Sequence, residues 1–60
     1  MLHKFNVKVL NQSGTYSVYT GTDHTTALTV YTMQACTNES DTFIELYKDN
    51  KFVRSTIGRV

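Results

Sequence analysis

Residues 4–11, Lys-Phe-Asn-Val-Lys-Val-Leu-Asn, alternate polar and apolar side chains before running into Gln12-Ser13-Gly14-Thr15. A two-residue period that ends in a polar, Gly-containing cluster predicts a strand followed by a hairpin turn. Residues 15–20, Thr-Tyr-Ser-Val-Tyr-Thr, are rich in β-branched and aromatic types and supply the return strand. With Ser13 and Gly14 as the loop, Asn11 is expected opposite Tyr16, Val9 opposite Val18 and Val7 opposite Thr20, with Lys8 beside Tyr19 on the other face.

Gly21-Thr22-Asp23 interrupts the strand pattern, and Asp23 has the chemistry of a helix N-cap. From His24 to about Thr37, Leu28, Tyr31 and Ala35 recur at helical spacing with Ala27 alongside. Thr25, Thr26, Thr29, Val30 and Thr32 are poor helix formers, which leaves a strand over residues 29–34 as the competing reading. The cap, the length of the segment and the two alanines favour the helix. The polar residues 37–41 then form a loop.

The second hairpin has the clearest signature. Residues 42–48 and 51–57 flank Asp49-Asn50, two residue types that tolerate the positive φ of a tight turn. Counting outward, Lys48 faces Lys51, Tyr47 faces Phe52, Leu46 faces Val53 and Glu45 faces Arg54, so that like meets like and acid meets base. Gly58-Arg59-Val60 is left as a short tail. The expected fold class is α+β, with two β-hairpins and one helix in ββαββ order and the helix on one face of an antiparallel-rich sheet. The order of strands in that sheet is left open.

Alternation also sorts the strand residues into two faces. Phe5, Val7, Val9, Tyr16, Val18, Ile44, Leu46, Val53 and Ile57 form the expected core, packed under Leu28, Tyr31 and Ala35. Lys4, Lys8, Tyr19, Phe43, Glu45, Tyr47, Phe52 and Arg54 fall on the opposite face, which a single helix cannot also cover. Four aromatics on an uncovered face exceed what scattered exposure requires, and Tyr, Phe and Arg are types enriched at the centres of interfaces. Lys8, Tyr19, Phe43, Tyr47, Phe52 and Arg54 are therefore the expected partner-binding residues. The competing explanation is that these aromatics only brace two hairpins in a domain short of core.

Composition narrows the function further. A chain of 60 residues is a single domain with limited capacity to bury apolar surface, so association with a second copy is the expected support. Cys36 is the lone cysteine, which excludes an internal disulfide and suits a reducing, cytoplasmic setting. Cys36, His3 and His24 lack the spacing of a zinc site, and three scattered glycines form no phosphate loop. No nucleophile lies beside a base, and Asp23, Glu39, Asp41, Glu45 and Asp49 each have a cap, loop, pair or turn role. The expectation is a non-enzymatic protein with no cofactor and no metal. No run of residues resembles a signal peptide or a membrane span. A net charge of +1 points to neither a strongly basic nucleic-acid binder nor an acidic DNA mimic. A single-stranded nucleic-acid binder remains the alternative, with Lys4, Lys8 and Arg54 on phosphates and Tyr19, Phe43, Tyr47 and Phe52 as stacking platforms.

The succession of a hairpin, the Tyr19-Thr20-Gly21-Thr22-Asp23 loop, a helix containing Ala27-Leu28 and the Lys48-Asp49-Asn50-Lys51 turn resembles very small bacteriophage-encoded proteins. That resemblance spans nearly the whole chain as a pattern of size and element order. Within the group, the small phage inhibitors of uracil-DNA glycosylase are similar in length and in strand–strand–helix–strand order, but they are acidic where this chain is not. The resemblance implies a host-takeover or anti-defence inhibitor, homodimeric, that binds and blocks a host protein.

Overall fold

The computed structural model describes residues 2–60. Four strands and one helix follow one another as β1 (Phe5–Asn11), β2 (Gly14–Gly21), α1 (His24–Thr37), β3 (Phe43–Lys48) and β4 (Lys51–Ile57). The strands form one sheet in the order β2-β1-β3-β4, and every neighbouring pair is antiparallel. The fold is α+β with the ββαββ order. The two most regularly alternating strands occupy the centre, and the more polar β2 and β4 form the edges.

Phe5, Val7 and Val9 of β1, Ile44 and Leu46 of β3, and Ala27 and Ala35 of α1 make one buried cluster. The side of the sheet that carries Phe5, Val7, Val9, Ile44 and Leu46 is the inner side, and the other is the outer side. Three of the five helical threonines, Thr26, Thr29 and Thr37, find local partners for their hydroxyls. The Asp23 carboxylate accepts from the Thr25 amide at 3.1 Å and from the Thr26 hydroxyl at 2.6 Å, capping the first turn. Thr29 and Thr37 each donate to the carbonyl four residues earlier, at 2.9 Å. At the other end Asn38 donates its side-chain amide to Gln34 O at 2.7 Å. The helical reading of residues 24–37 therefore holds, and the strand alternative does not.

The Asp49-Asn50 turn has φ values of 52° and 66°, the doubly positive geometry of a tight hairpin turn. Asp49 also ties down the chain ahead of β1. Its carboxylate accepts from the Lys4 amide at 2.9 Å and pairs with His3 Nδ1 at 2.7 Å, while its own amide donates to Lys4 O at 2.7 Å. Residues 58–60 are anchored as well. The amides of Gly58, Arg59 and Val60 donate to Thr42 O, Ala35 O and Asn38 O at 2.8, 2.9 and 3.1 Å. Gly58 is buried, and a Cβ there would run into the backbone carbonyls of Glu39 and Asn38.

Two ladders depart from the expected register. In the first hairpin Asn11 pairs with Gly14 and Val9 with Tyr16, so Gln12 and Ser13 form the loop. A bulge then leaves Val18 unpaired, and Val7 stands opposite Tyr19 rather than Thr20. In the second hairpin the expected pairs hold from Lys48↔Lys51 to Tyr47↔Phe52, after which Val53 is the extra residue. Leu46 then faces Arg54, and Glu45 faces Ser55. Each bulge moves every residue beyond it to the other side of the sheet. Tyr19 and Arg54, expected on the outer side, both lie on the inner one. Ile57 makes the opposite move and stands opposite Phe43 on the outer side. Tyr16, Val53 and Ile57, expected in the core, are exposed.

Candidate interaction face

The outer side is a grid of cross-strand rows. The first row runs Thr15, Leu10, Phe43, Ile57 from β2 to β4. The middle row is Ser17, Lys8, Glu45, Ser55, and the third is Thr20, Asn6, Tyr47, Phe52. The first row thus offers three adjacent apolar side chains and the third two aromatics, with a charged row between them. Phe43, Phe52 and Ile57 are 51%, 56% and 49% exposed, values far above those of the core residues beneath them. Leu10 and Tyr47 are half-buried by these neighbours.

The charged row is tied to the aromatics by specific contacts. Lys8 Nζ lies 4.7 Å from the centroid of the Tyr47 ring, a cation–π arrangement. The Tyr47 hydroxyl donates to Glu45 Oε1 at 2.8 Å. That hydrogen bond raises the Tyr47 pKa above the ordinary phenol value, with burial and the Glu45 charge adding to it. Phe52 meets Tyr47 edge to face, with centroids 5.9 Å apart. The β1–β2 corner is different in kind. Asn6 donates to the Thr20 hydroxyl at 3.3 Å and accepts from Ser17 at 2.8 Å, so its polar groups are spent on one another. The exposed large apolar side chains of this side, Phe43, Phe52 and Ile57, lie on β3 and β4.

Of the expected partner-binding residues, the sheet brings Lys8, Phe43, Tyr47 and Phe52 together on the outer side and separates Tyr19 and Arg54 from them. Tyr19 packs against the core, and its hydroxyl lies 3.4 Å from both Asp23 O and Asp23 N at the start of the helix. Arg54 lines a groove with Tyr31 of α1. The proposed quartet of outward aromatics is therefore split, three against one. Lys4 precedes β1 and is held through its backbone by Asp49. The nucleic-acid alternative loses one stacking residue and one phosphate contact from this face, and it keeps Glu45 at the centre.

Two residues of the face, Leu10 and Ile57, stand outside the expected partner-binding set. Leu10 shares its alternation with Lys8, so the signal was present. Ile57 is expected in the core because nothing in the local pattern marks the bulge at Val53. No group of three His, Cys, Asp or Glu side chains among the described residues could hold a metal ion. No helix among them is long and apolar enough to cross a membrane. Comparison with protein-family models, curated proteins and solved structures finds no match to the chain.

Proposed function

We propose that this chain is a non-enzymatic protein-binding module that works through its outer sheet face, and that its resting form is a homodimer built on that face. The observation that carries the reading is the apolar row Leu10–Phe43–Ile57, with Tyr47 and Phe52 two rows away, on the side of the sheet opposite the core. In this reading the helix shields the inner face and leaves the outer one for a partner.

A second copy fits the face by symmetry. A two-fold axis parallel to the strands and passing between β1 and β3 stacks each Lys8 above the partner's Glu45 and each Leu10 above the partner's Phe43. An axis across the strands would instead set Lys8 against the partner's Lys8, which like charge disfavours. Four strands about 4.8 Å apart, each contributing about six residues at about 3.3 Å, make a face of roughly 400 Å2 in projection. That is at the small end for protein interfaces, so the dimer is reversible and the face is open to competition. A small inhibitor of a host protein would use the same strip, with the host surface replacing the second copy. A reducing cytoplasm suits the exposed, unpaired thiol of Cys36.

Sedimentation across a wide concentration range tests this reading. The wild-type mass should rise from monomer toward dimer, and a Phe43→Ser/Ile57→Ser double variant should stay monomeric. Lys8→Glu should weaken association, and adding Glu45→Lys should restore it. A wild-type chain that is monomeric throughout, or a double variant that associates unchanged, overturns the proposal.

A further inference from the structure

The bulge at Val53 that removes Arg54 from the outer face delivers it to a different place. Between α1 and β4 lies an open groove of about 550 Å3, lined by residues that include Tyr31, Thr32, Arg54, Ser55, Thr56 and Arg59. Its character is the reverse of the apolar outer row. The arginines Arg54 and Arg59 and the hydroxyl-bearing Tyr31, Thr32 and Thr56 border it, Ser55 lines it from a position whose side chain belongs to the outer side, and no Asp or Glu among the described residues does.

We propose that this groove is an anion site that takes the phosphate group of a small phosphate monoester, with Arg54 and Arg59 as the charged ligands and the surrounding hydroxyls as further donors. Arg54 is supplied by a paired strand, opposite Leu46 of the core. Arg59 is supplied by the anchored segment after β4, whose amide is bonded to Ala35 O at 2.9 Å. The arginines thus come from separately fixed backbones, so binding has to order their side chains but not the chain that carries them.

Among the described residues neither arginine has an acidic partner. The single ion pair among the described residues joins His3 to Asp49, at 2.7 Å. Both arginines also lie close enough to Tyr31 to favour its phenolate, against the burial that raises the Tyr31 pKa. Two cations without an acidic partner among the described residues therefore line the same groove as Tyr31. Donors arriving from a helix, a strand and the following segment suit a tetrahedral oxyanion better than a planar carboxylate, for which one guanidinium fork is enough. A near-neutral chain with one such groove lacks the basic track that a nucleic-acid backbone requires. The small ligand is therefore preferred over an oligonucleotide.

The test is an amide-resolved NMR titration of the whole chain with inorganic phosphate, a nucleoside monophosphate, a short single-stranded oligonucleotide and acetate, against chloride at matched ionic strength. Inorganic phosphate and the monophosphate should give saturable shifts at Tyr31, Ser55, Thr56 and Arg59, in the millimolar range expected of an exposed site. Arg54→Met and Arg59→Met should each weaken binding by about tenfold, and bound phosphate should raise the titration midpoint of Tyr31. Both arginines are exposed, so the variants should fold, which their melting curves verify. Shifts that are linear, that chloride or acetate reproduces, or that survive both substitutions overturn the proposal. An oligonucleotide that binds much more tightly than the monophosphate overturns its assignment to a small ligand.

Discussion

Arg54 stands opposite Leu46 in the β3–β4 ladder, where an unbroken count outward from the Asp49-Asn50 turn would place Val53. One extra residue in an edge strand thus decides whether a guanidinium lies beside Glu45 on the outer side or near Tyr31 on the inner one. Both bulges fall in edge strands, at Val18 of β2 and Val53 of β4. That is where an interrupted ladder disturbs fewest hydrogen bonds and discourages further strands from adding on.

The inner position of Arg54 has a titration consequence. Burial raises the Tyr31 pKa, and the Arg54 and Arg59 charges partly oppose it. Arg54→Met removes a cation that favours the phenolate, so the Tyr31 midpoint should move further up in an ultraviolet titration. An unchanged midpoint would return Arg54 to the outer side.

Asp49 makes stability sensitive to acid. Its pKa is held below the ordinary carboxylate value, first by the Lys4 amide and next by the His3 hydrogen bond. A carboxyl with a depressed folded-state pKa contributes fully above its unfolded pKa, and the contribution is lost as pH falls through the folded one. Asp49→Asn keeps a residue that accepts positive φ and removes the charge. The variant should be less stable than wild type at neutral pH, and the two denaturation curves should converge as pH drops below the carboxylate range. Curves that stay parallel down to acid pH would exclude this role.

Gly58→Ala tests the anchoring of the last residues. The new Cβ meets backbone carbonyls of Glu39 and Asn38, which cannot swing aside as a side chain would. The three hydrogen bonds of residues 58–60 should be lost together, destabilising the fold by about 1–3 kcal/mol. Fast hydrogen exchange at the Arg59 amide in the variant, against protection in wild type, is the expected signature.

Core and outer-face substitutions should separate cleanly. Leu46 is 2% exposed, and Leu46→Ala should cost about 2–5 kcal/mol, a large share of the stability of so small a domain. Phe43→Ser removes a half-exposed ring and should lower self-association far more than it shifts the denaturation midpoint of dilute monomer. Equal losses of stability in both variants would mean that the outer aromatics brace the sheet and do not form an interface.

The strands, the helix, its Asp23 cap and the Asp49-Asn50 turn were legible in the chain because each depends on neighbours in sequence: a two-residue period, a capping side chain, a pair of residues at ease with positive φ. The faces of β1 and β3 were legible too. These central strands hold Phe5, Val7, Val9, Ile44 and Leu46 against the core, and a slip of one residue would expel them. Leu10 followed the same alternation and could have been placed. Only the tertiary structure decided the strand order, since either edge of the first hairpin could have received β3. It also decided the two bulges, because whether Val18 or Val53 drops out of its ladder depends on what stands across the sheet. Tyr19 turned inward to meet Asp23, Arg54 turned inward to the groove that Tyr31 lines, and Ile57 turned outward beside Phe43 for that one reason. Side-chain period is a local property, but the point at which it breaks is set by partners distant in the chain.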